Sequence, residues 1–432
     1  MVRGDALYQQ FIAILNEELR PAMGCTEPIA LAYAGAKARE VLGCLPQRID
    51  VLVSGNIIKN VKSVVVPNTG GLRGIAAAVC AGVVAGQADK QLEVISTVSA
   101  QQQAQLKAFM ADTEVNIAPS PSNLVFDIDL TLAAGENKAR VRIVNHHTNI
   151  VHISCNDNVL LDLPIEESSE DNLTDKSCLS IERIVEFAEV LNIEDVRNSI
   201  GRQLQYNMAI AREGIANSWG ANIGSVILNQ QGTSNNRKAA AYAAAGSDAR
   251  MSGCEMPVII LSGSGNQGIT ASVPVAVYAE AFGSTEEELF KAVAVSDLVT
   301  VHQKTGIGRL SAYCGAISAG CGAGAGIAYL HGGRQEAVAH TVVNAIAILS
   351  GTICDGAKPS CAAKIAAAVD AGILGYNMYL EHQQFFGGDG IVTKGADKTV
   401  SNVGRLAREG MRETDQTILR IMLDDGCCFL IS

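Results

Sequence analysis

A chain of 432 residues that is 48% hydrophobic and only 18% charged has apolar mass for two or three cores, which excludes an intrinsically disordered protein. Its 44 acidic residues against 33 basic ones give a formal net charge of -11. No basic cluster interrupts that background, so no nucleic-acid partner is expected.

The opening stretch, MVRGDALYQQFIAILNEELR, carries Asp5 where a secretion signal needs its apolar core, and its pattern continues as an amphipathic helix. A cytoplasmic protein is expected. Residues 6–43 read as one or two helices, broken around 20–25 by RPAMGC. From residue 49 the apolar period changes to two: IDVLVSG, SVVVP, LEVIST and VNIAPS read as strands, with helical patterns over 72–87 and 100–111 between some of them. LVFDIDLTL, KARVRIVNHH and NIVHISCN follow as an antiparallel meander turning at AGEN and HT. The acidic, serine-rich EESSEDNLTDKS at 166–177 reads as a linker.

Beyond it, Ser180 can cap a helix through IERIVEFAEVL, and helical patterns run on to the C-terminus. Alanine and glycine dominate 239–246, 311–333 and 337–373, a composition that lets helices approach closely and buries some of them. The fold class expected is an α+β N-terminal domain over residues 1–180, whose helical start can pack on its neighbour. A large all-α domain with buried Ala/Gly-rich helices follows over 181–432. The most apolar stretch, SAYCGAISAGCGAGAGIAYL at 311–330, has the ~20 residues that a bilayer span needs. Its small residues suit a helix buried in protein and no second span matches it, so no membrane is expected.

Twelve cysteines in a leaderless chain of this length do not resemble the disulfide framework of a small secreted domain, and reduced thiols are expected. Cys44, Cys80, Cys155, Cys178 and Cys254 stand singly and read as small core residues. The adjacency of Cys427 and Cys428 carries no argument. Cys314 and Cys321 form one pair and Cys354 and Cys361 another, each seven residues apart. Seven positions on a continuous helix span about 10.5 Å, awkward for one small metal centre. Asp355, Gly356 and Pro359 break the second pair's helix, so Cys354 and Cys361 can fold toward each other and be joined by one cysteine of the earlier pair. Three thiolates on an iron-sulfur cube leave one iron open to act as a Lewis acid. The alternative is a set of buried cysteines lining an alanine-rich core.

In VIILSGSGNQGITASVPVAVYAEAF, at 258–282, Gly263, Gly265 and Gly268 satisfy G-x-G-x-x-G. The strand and acidic residue that complete a dinucleotide site do not follow. Ser262, Ser264, Asn266 and Gln267 still offer donors at a helix start, suited to a carboxylate; a tight interhelical turn is the structural alternative. Near the N-terminus, GCTEP places Cys25 at a helix mouth. With Thr26 as N-cap, the helix dipole would lower the thiol pKa from about 8.5, opposed in part by Glu27. A buried helix-entry cysteine is the alternative. His146 and His147 would point to opposite faces of a strand, so one reads as structural while the other can face the site; Lys304, ten residues before Cys314, can approach the metal centre but reads first as a surface lysine, and FFGGDGIV reads as a turn.

GCTEP, SGSGNQG, SGNIIKNVKSVVVPNTG at 54–70 and the CG and CDGAKPSC segments together resemble the L-cysteine desulfidase family, distantly related to iron-sulfur L-serine dehydratases, over essentially the whole chain. The resemblance implies an oxygen-sensitive 4Fe-4S cluster without pyridoxal phosphate, and elimination of sulfide from L-cysteine to give pyruvate and ammonia. It implies Cys314, Cys354 and Cys361 as ligands, Cys321 as a bystander and Cys25 as proton acceptor. In that reading Lys59, Asn60 and the loop Ser264, Gly265, Asn266, Gln267 and Gly268 receive the carboxylate of a small amino acid. Two other readings stay open: a serine dehydratase-type deaminase of the same architecture, and a non-enzymatic iron-sulfur or redox sensor. Glycine-rich helical surfaces are consistent with a homodimer.

Overall fold

The computed structural model describes residues 1–122, 124–165, 173–230, 232, 234–308 and 311–424. Cys427, Cys428 and positions 166–172 of the acidic stretch lie outside the described residues. Asp5 accepts the Tyr8 N–H at 2.7 Å and so starts α1 (Ala6–Glu18). Then come β1 (Arg20–Met23), α2 (Thr26–Leu42), β2 (Arg48–Val53), α3 (Gly55–Val61), α4 (Gly74–Ala85), α5 (Ala100–Asp112), β3 (Glu114–Pro119), β4 (Asp127–Ala134), β5 (Asn137–Val144), β6 (Ile150–Cys155) and β7 (Asn158–Asp162). Six of these strands form one sheet in the order β3-β2-β4-β5-β6-β7; β2 and β3 are parallel and every other pair is antiparallel.

Alternation in RIDVLV turns Ile49, Val51 and Val53 inward, where they meet Ile29 and Leu31 of α2 and Val79 of α4. A Cβ at Gly82 would stand 1.9 Å from the Ala32 carbonyl oxygen, so α2 and α4 touch backbone to backbone. SVVVP and LEVIST are not strands. The first makes only a lone bridge, Val65 to Arg73, and the second starts inside a 3-10 turn (Ala88–Glu93) and runs on as turns. Their valines and isoleucine, Val64, Val66, Val94 and Ile95, enter the core from loops, which imitates a strand pattern. The structure adds β7, whose exposed Val159 and Leu160 lack the alternation of a half-buried strand.

Ser180 accepts the Arg183 N–H and starts α6 (Ile181–Val190), as expected. The helical part continues with α7 (Ile200–Ala216), α8 (Ile223–Leu228), α9 (Asn235–Met251), β8 (Pro257–Ile260), α10 (Gly265–Phe282), α11 (Glu286–Ile307), α12 (Gly315–Leu330), α13 (Gln335–Leu349), α14 (Ser360–Leu380), α15 (Ala396–Arg405) and α16 (Arg412–Asp424). The apolar α12 lies at the centre, packed by α10, α11, α13 and α14. Its glycines make this possible: a Cβ at Gly324 would stand 2.4 Å from the Gly372 carbonyl oxygen, and one at Gly322 equally close to that of Ser296. Among the described residues no helix is long and apolar enough to cross a membrane. Cys80, Cys178 and Cys254 are buried, whereas Cys44 is exposed and Cys155 half-buried, so these last two are not core residues.

The helical start divides between the two cores. Tyr8 and Phe11 of α1 pack on Phe187 of α6, with ring centroids 5.2 and 5.0 Å apart, while α2 packs on the sheet. Between them β1 pairs antiparallel with β8 of the helical part, Arg20 opposite Ile260 and Met23 opposite Pro257. The chain therefore crosses from one core to the other at Gly24 and Cys25.

Asp297 of α11 is fully buried, and its one hydrogen bond comes from Gln203 Nε2 at 2.8 Å. Asp297 Oδ2 and Gln203 Oε1 have no partner. Burial raises the carboxyl from 3.8 to about 8, so the neutral acid is the form at pH 7, and its proton can serve Gln203 Oε1. Because the folded pKa lies above the unfolded one, this group's contribution is complete below about pH 4 and is lost as pH rises toward about 8, at up to about 1.4 kcal/mol per pH unit. Asp297→Asn supplies the same two hydrogen bonds without titrating. Denaturant unfolding at pH 5 and pH 8 is expected to show the variant gaining on wild type at the higher pH; a constant difference would contradict the neutral acid.

Candidate active site

Gly24 has φ +62, and a Cβ there would stand 2.4 Å from Pro67 Cγ, so the residue before Cys25 has to be glycine. Cys25 itself is the N-cap of α2, without a side-chain capping bond; Thr26 is the first helical residue and Pro28 sits in the first turn. The thiol donates to Glu27 Oε2 at 3.3 Å. Thr26 Oγ1 donates to the same oxygen at 3.1 Å, and Asn60 Nδ2 to Glu27 Oε1 at 3.0 Å. Burial and then the Glu27 charge push the Cys25 thiol well above its ordinary pKa, against the opposing charge of Arg250. The expected lowering by the helix end is thus reversed, because a 3%-exposed thiol beside a carboxylate loses more than a helix dipole returns.

Cys314 is the N-cap of α12, Cys361 is the second residue of α14, and Cys354 lies on the loop between α13 and α14. A short ladder holds two of them side by side: the Cys314 N–H donates to the Thr352 carbonyl at 3.0 Å and the Cys354 N–H to that of Ala312 at 2.6 Å. The glycines that follow these cysteines have packing reasons. A Cβ at Gly315 would meet the Gln267 amide carbon at 2.7 Å; one at Gly356, φ +94, would meet the Lys59 carbonyl oxygen at 2.0 Å. A hydrogen bond from Cys314 holds the Cys354 thiol low against burial, with Lys59 and Lys304 adding positive charge, and raises Cys314 in turn. Cys321 is buried away from this group, its thiol on the Val342 carbonyl.

Cys25, Cys314, Cys354 and Cys361 all line one cavity of about 140 Å³. Of the expected carboxylate receivers, Lys59, Asn60, Ser264, Asn266 and Gln267 line it as well. Two of these are already engaged: Lys59 Nζ by Asp415 of α16 at 2.5 Å, and Asn60 Nδ2 by Glu27. Gly265 and Gly268 are not among the lining residues, and the Gly268 N–H already donates to the Ser264 carbonyl at 3.1 Å. A Cβ at Gly265 would stand 2.3 Å from Arg250 Nε, and one at Gly268 2.0 Å from the Ile259 carbonyl oxygen, so the first makes room for Arg250 and the second seats α10 on β8.

His146 and His147 lie beyond the end of β5, in a turn where Asn145 takes φ 65, so strand alternation does not separate them and both line the cavity. Lys304 lines it too and is 6% exposed, which corrects the surface assignment. Sequence reasoning missed Arg250 and gave Glu27 only an opposing charge. The available signal was a charge inside the alanine-rich pattern of α9, since a charge that faces a core has to find polar partners.

Gly356→Ala tests the contact that joins α3 to the cysteine loop. Gly308 has the same φ, +94, with open space around its Cβ position. Gly308, with ψ 161, is in an extended positive-φ conformation, so Gly308→Ala carries only backbone strain of about 1–3 kcal/mol. Thermal unfolding is expected to show Gly356→Ala as the more destabilised; equal losses would mean that the loop does not press on Lys59.

The model of the serine dehydratase alpha chain family matches residues 89–420. That range holds the three cysteines and the start of α10, while Cys25, Glu27, Lys59 and Asn60 precede it. The UPF0597 protein of Desulfitobacterium hafniense is 56% identical over 98% of this chain and 99% of its own length. Those of Lachnoclostridium phytofermentans and Treponema denticola are 47% and 43% identical, each over 97% of this chain and over 100% and 98% of their own. With a match over most of its length and relatives alike from end to end, the chain belongs to the serine dehydratase alpha chain family and, within it, groups with the UPF0597 proteins.

Proposed function

We propose that this chain is an iron-sulfur-dependent lyase that removes the β-substituent of a small L-amino acid, L-cysteine in the first reading, to give pyruvate, ammonia and sulfide. The observation that carries it is that Cys314, Cys354 and Cys361 line the same cavity as Cys25 and its carboxylate partner. Cys314, Cys354 and Cys361 share one cavity, and a set of sulfur donors is the kind that suits an iron-sulfur group. L-Serine is the second reading, favoured by the name of the matched family.

Cys314, Cys354 and Cys361 would hold a 4Fe-4S cluster, which when bound supplies a Lewis-acidic iron that draws electron density from the substrate's β-heteroatom. The other work falls to the chain. Cys25 rests as a thiol, and its hydrogen bond gives the proton a destination on Glu27 Oε2. Transfer leaves a thiolate beside a neutral acid, which removes the charge that had raised the thiol. Cys25 Sγ then accepts the α-proton, the Cα–H electron pair forms the Cα–Cβ double bond, and the β-substituent leaves with the Cβ bond pair. The proton on Glu27 is available to the departing sulfide or hydroxide. Asn60 and Thr26 keep the carboxylate oriented throughout. The released enamine tautomerises to an imine, and water converts that to pyruvate and ammonia.

Protein reconstituted without oxygen is expected to form pyruvate and sulfide in equal amounts from L-cysteine, or pyruvate from L-serine in the second reading; no pyruvate from either ends the proposal. Cys25→Ala is expected to keep the cluster absorption and lose turnover by about 10²-fold or more. Glu27→Gln is expected to keep the cluster, lower kcat and make it rise with pH, because the thiol proton then leaves to solvent. Cys354→Ala is expected to lose cluster and turnover together, and Cys321→Ala to retain both.

A further inference from the structure

Arg250, the last residue but one of α9, stands at the wall of the cavity with 3% of its surface exposed. Its Nε donates to the Gly24 carbonyl at 3.1 Å; its Nη1 donates to Asn266 Oδ1 at 3.0 Å and reaches Met251 Sδ at 3.4 Å. All of these partners are neutral. They use three N–H groups of the five a guanidinium carries and leave the two on Nη2. The nearby carboxylate, Glu27, is committed to Cys25, Thr26 and Asn60. A buried cation whose close partners are all neutral is costly, and an anion entering the cavity would offset that cost.

The surroundings of the guanidinium suit such an anion. It lies across the first residue of α10, where glycine is required because a Cβ would fall 2.3 Å from Nε and 2.8 Å from Cζ. α10 is 18 residues long, and its N-cap Ser264 makes no side-chain capping bond, so the first N–H groups of the helix are open to a ligand. A second, independent feature lies two residues further along α10. Gln267, 5% exposed and lining the same cavity, has an Oε1 with no hydrogen-bond partner. It is an acceptor without a donor, in the same cavity as a donor fork with Nη2 unused.

We infer that Arg250 and the N-terminus of α10 bind the α-carboxylate of the ligand, and that Gln267 Oε1 accepts from its α-ammonium. The inference rests on the amino-acid reading of the proposed function and assigns the recognition that makes the ligand a free α-amino acid rather than an amine, an amide or a peptide. It also moves the carboxylate away from Lys59 and Asn60, which are paired with Asp415 and Glu27 within the protein. Arginine fits this task better than lysine because its planar fork matches a carboxylate with two parallel hydrogen bonds.

L-Alanine carries both recognised groups and no leaving group, so its binding is read without turnover. Calorimetric titration of the reconstituted protein is expected to show L-alanine binding, weakened about tenfold or more in Arg250→Gln and less in Arg250→Lys, with iron content and thermal unfolding of Arg250→Lys unchanged. Propionate, which lacks the ammonium, is expected to lose affinity in Arg250→Gln but not in Gln267→Met. L-Alaninamide, which lacks the carboxylate charge, is expected to be indifferent to Arg250. Wild-type affinity for L-alanine in Arg250→Gln and Arg250→Lys would overturn the inference, as would a wild type that binds neither L-alanine nor propionate. Binding of propionate alone, dependent on Arg250, would remove the amino-acid reading and the role of Gln267 while keeping the carboxylate anchor.

Discussion

The candidate site exists because two hydrophobic cores are pressed together at the level of the backbone. Gly356, in the loop that carries Cys354, packs against the Lys59 carbonyl with no room for a side chain, and the β1–β8 ribbon fixes the place where the chain passes from one core to the other. Cys25 sits at that crossing. Without the contact, the thiol at the start of α2 and the three cysteines of the helical part would belong to separate surfaces. α16 strengthens the same seam from outside, where Asp415 holds Lys59 and Leu419 packs on Gly55.

A seam of this kind gathers charge in a region where charge is expensive. Glu27 is held by three donors, Arg250 by three neutral acceptors, and the Cys314–Cys354 pair lies within the field of Lys59 and Lys304. Glu27 and Arg250 are oriented by hydrogen bonds from neutral partners that do not neutralise them, which is the condition for electrostatic stabilisation that needs no rearrangement during reaction. The same burial makes Cys25 a poor acid, so its chemistry depends on the neighbouring carboxylate rather than on the helix end.

The overall division of the fold was legible because its signals are local and repeated. A two-residue period announces β2, β4, β5 and β6, and Ser180 announces the helical part. SVVVP and LEVIST misled because apolar residues alternate there for loop burial, with no ladder to join. β1 and β8 pair across more than two hundred residues, a relation that no short window contains. At the site, the motif cysteines and the amide loop stood out by their residue types. Arg250 did not, since an arginine in an alanine-rich helix reads as surface until the helix is known to be buried. Lys304 escaped for the same reason. The glycines of CG and CDG were visible in the sequence, but their meaning, contact with Gln267 and with Lys59, is wholly tertiary.

The central claim is that an iron-sulfur group sits in the seam, on the sulfurs of residues 314, 354 and 361, with Cys25 beside it and uncoordinated. Anomalous diffraction at the iron edge from crystals of the anaerobically loaded protein tests this most directly. The account predicts one compact iron peak within the cavity, bonded to those three sulfurs, with the Cys25 sulfur still on Glu27. Iron bound to Cys25 or Cys321, or iron outside the cavity, would contradict it.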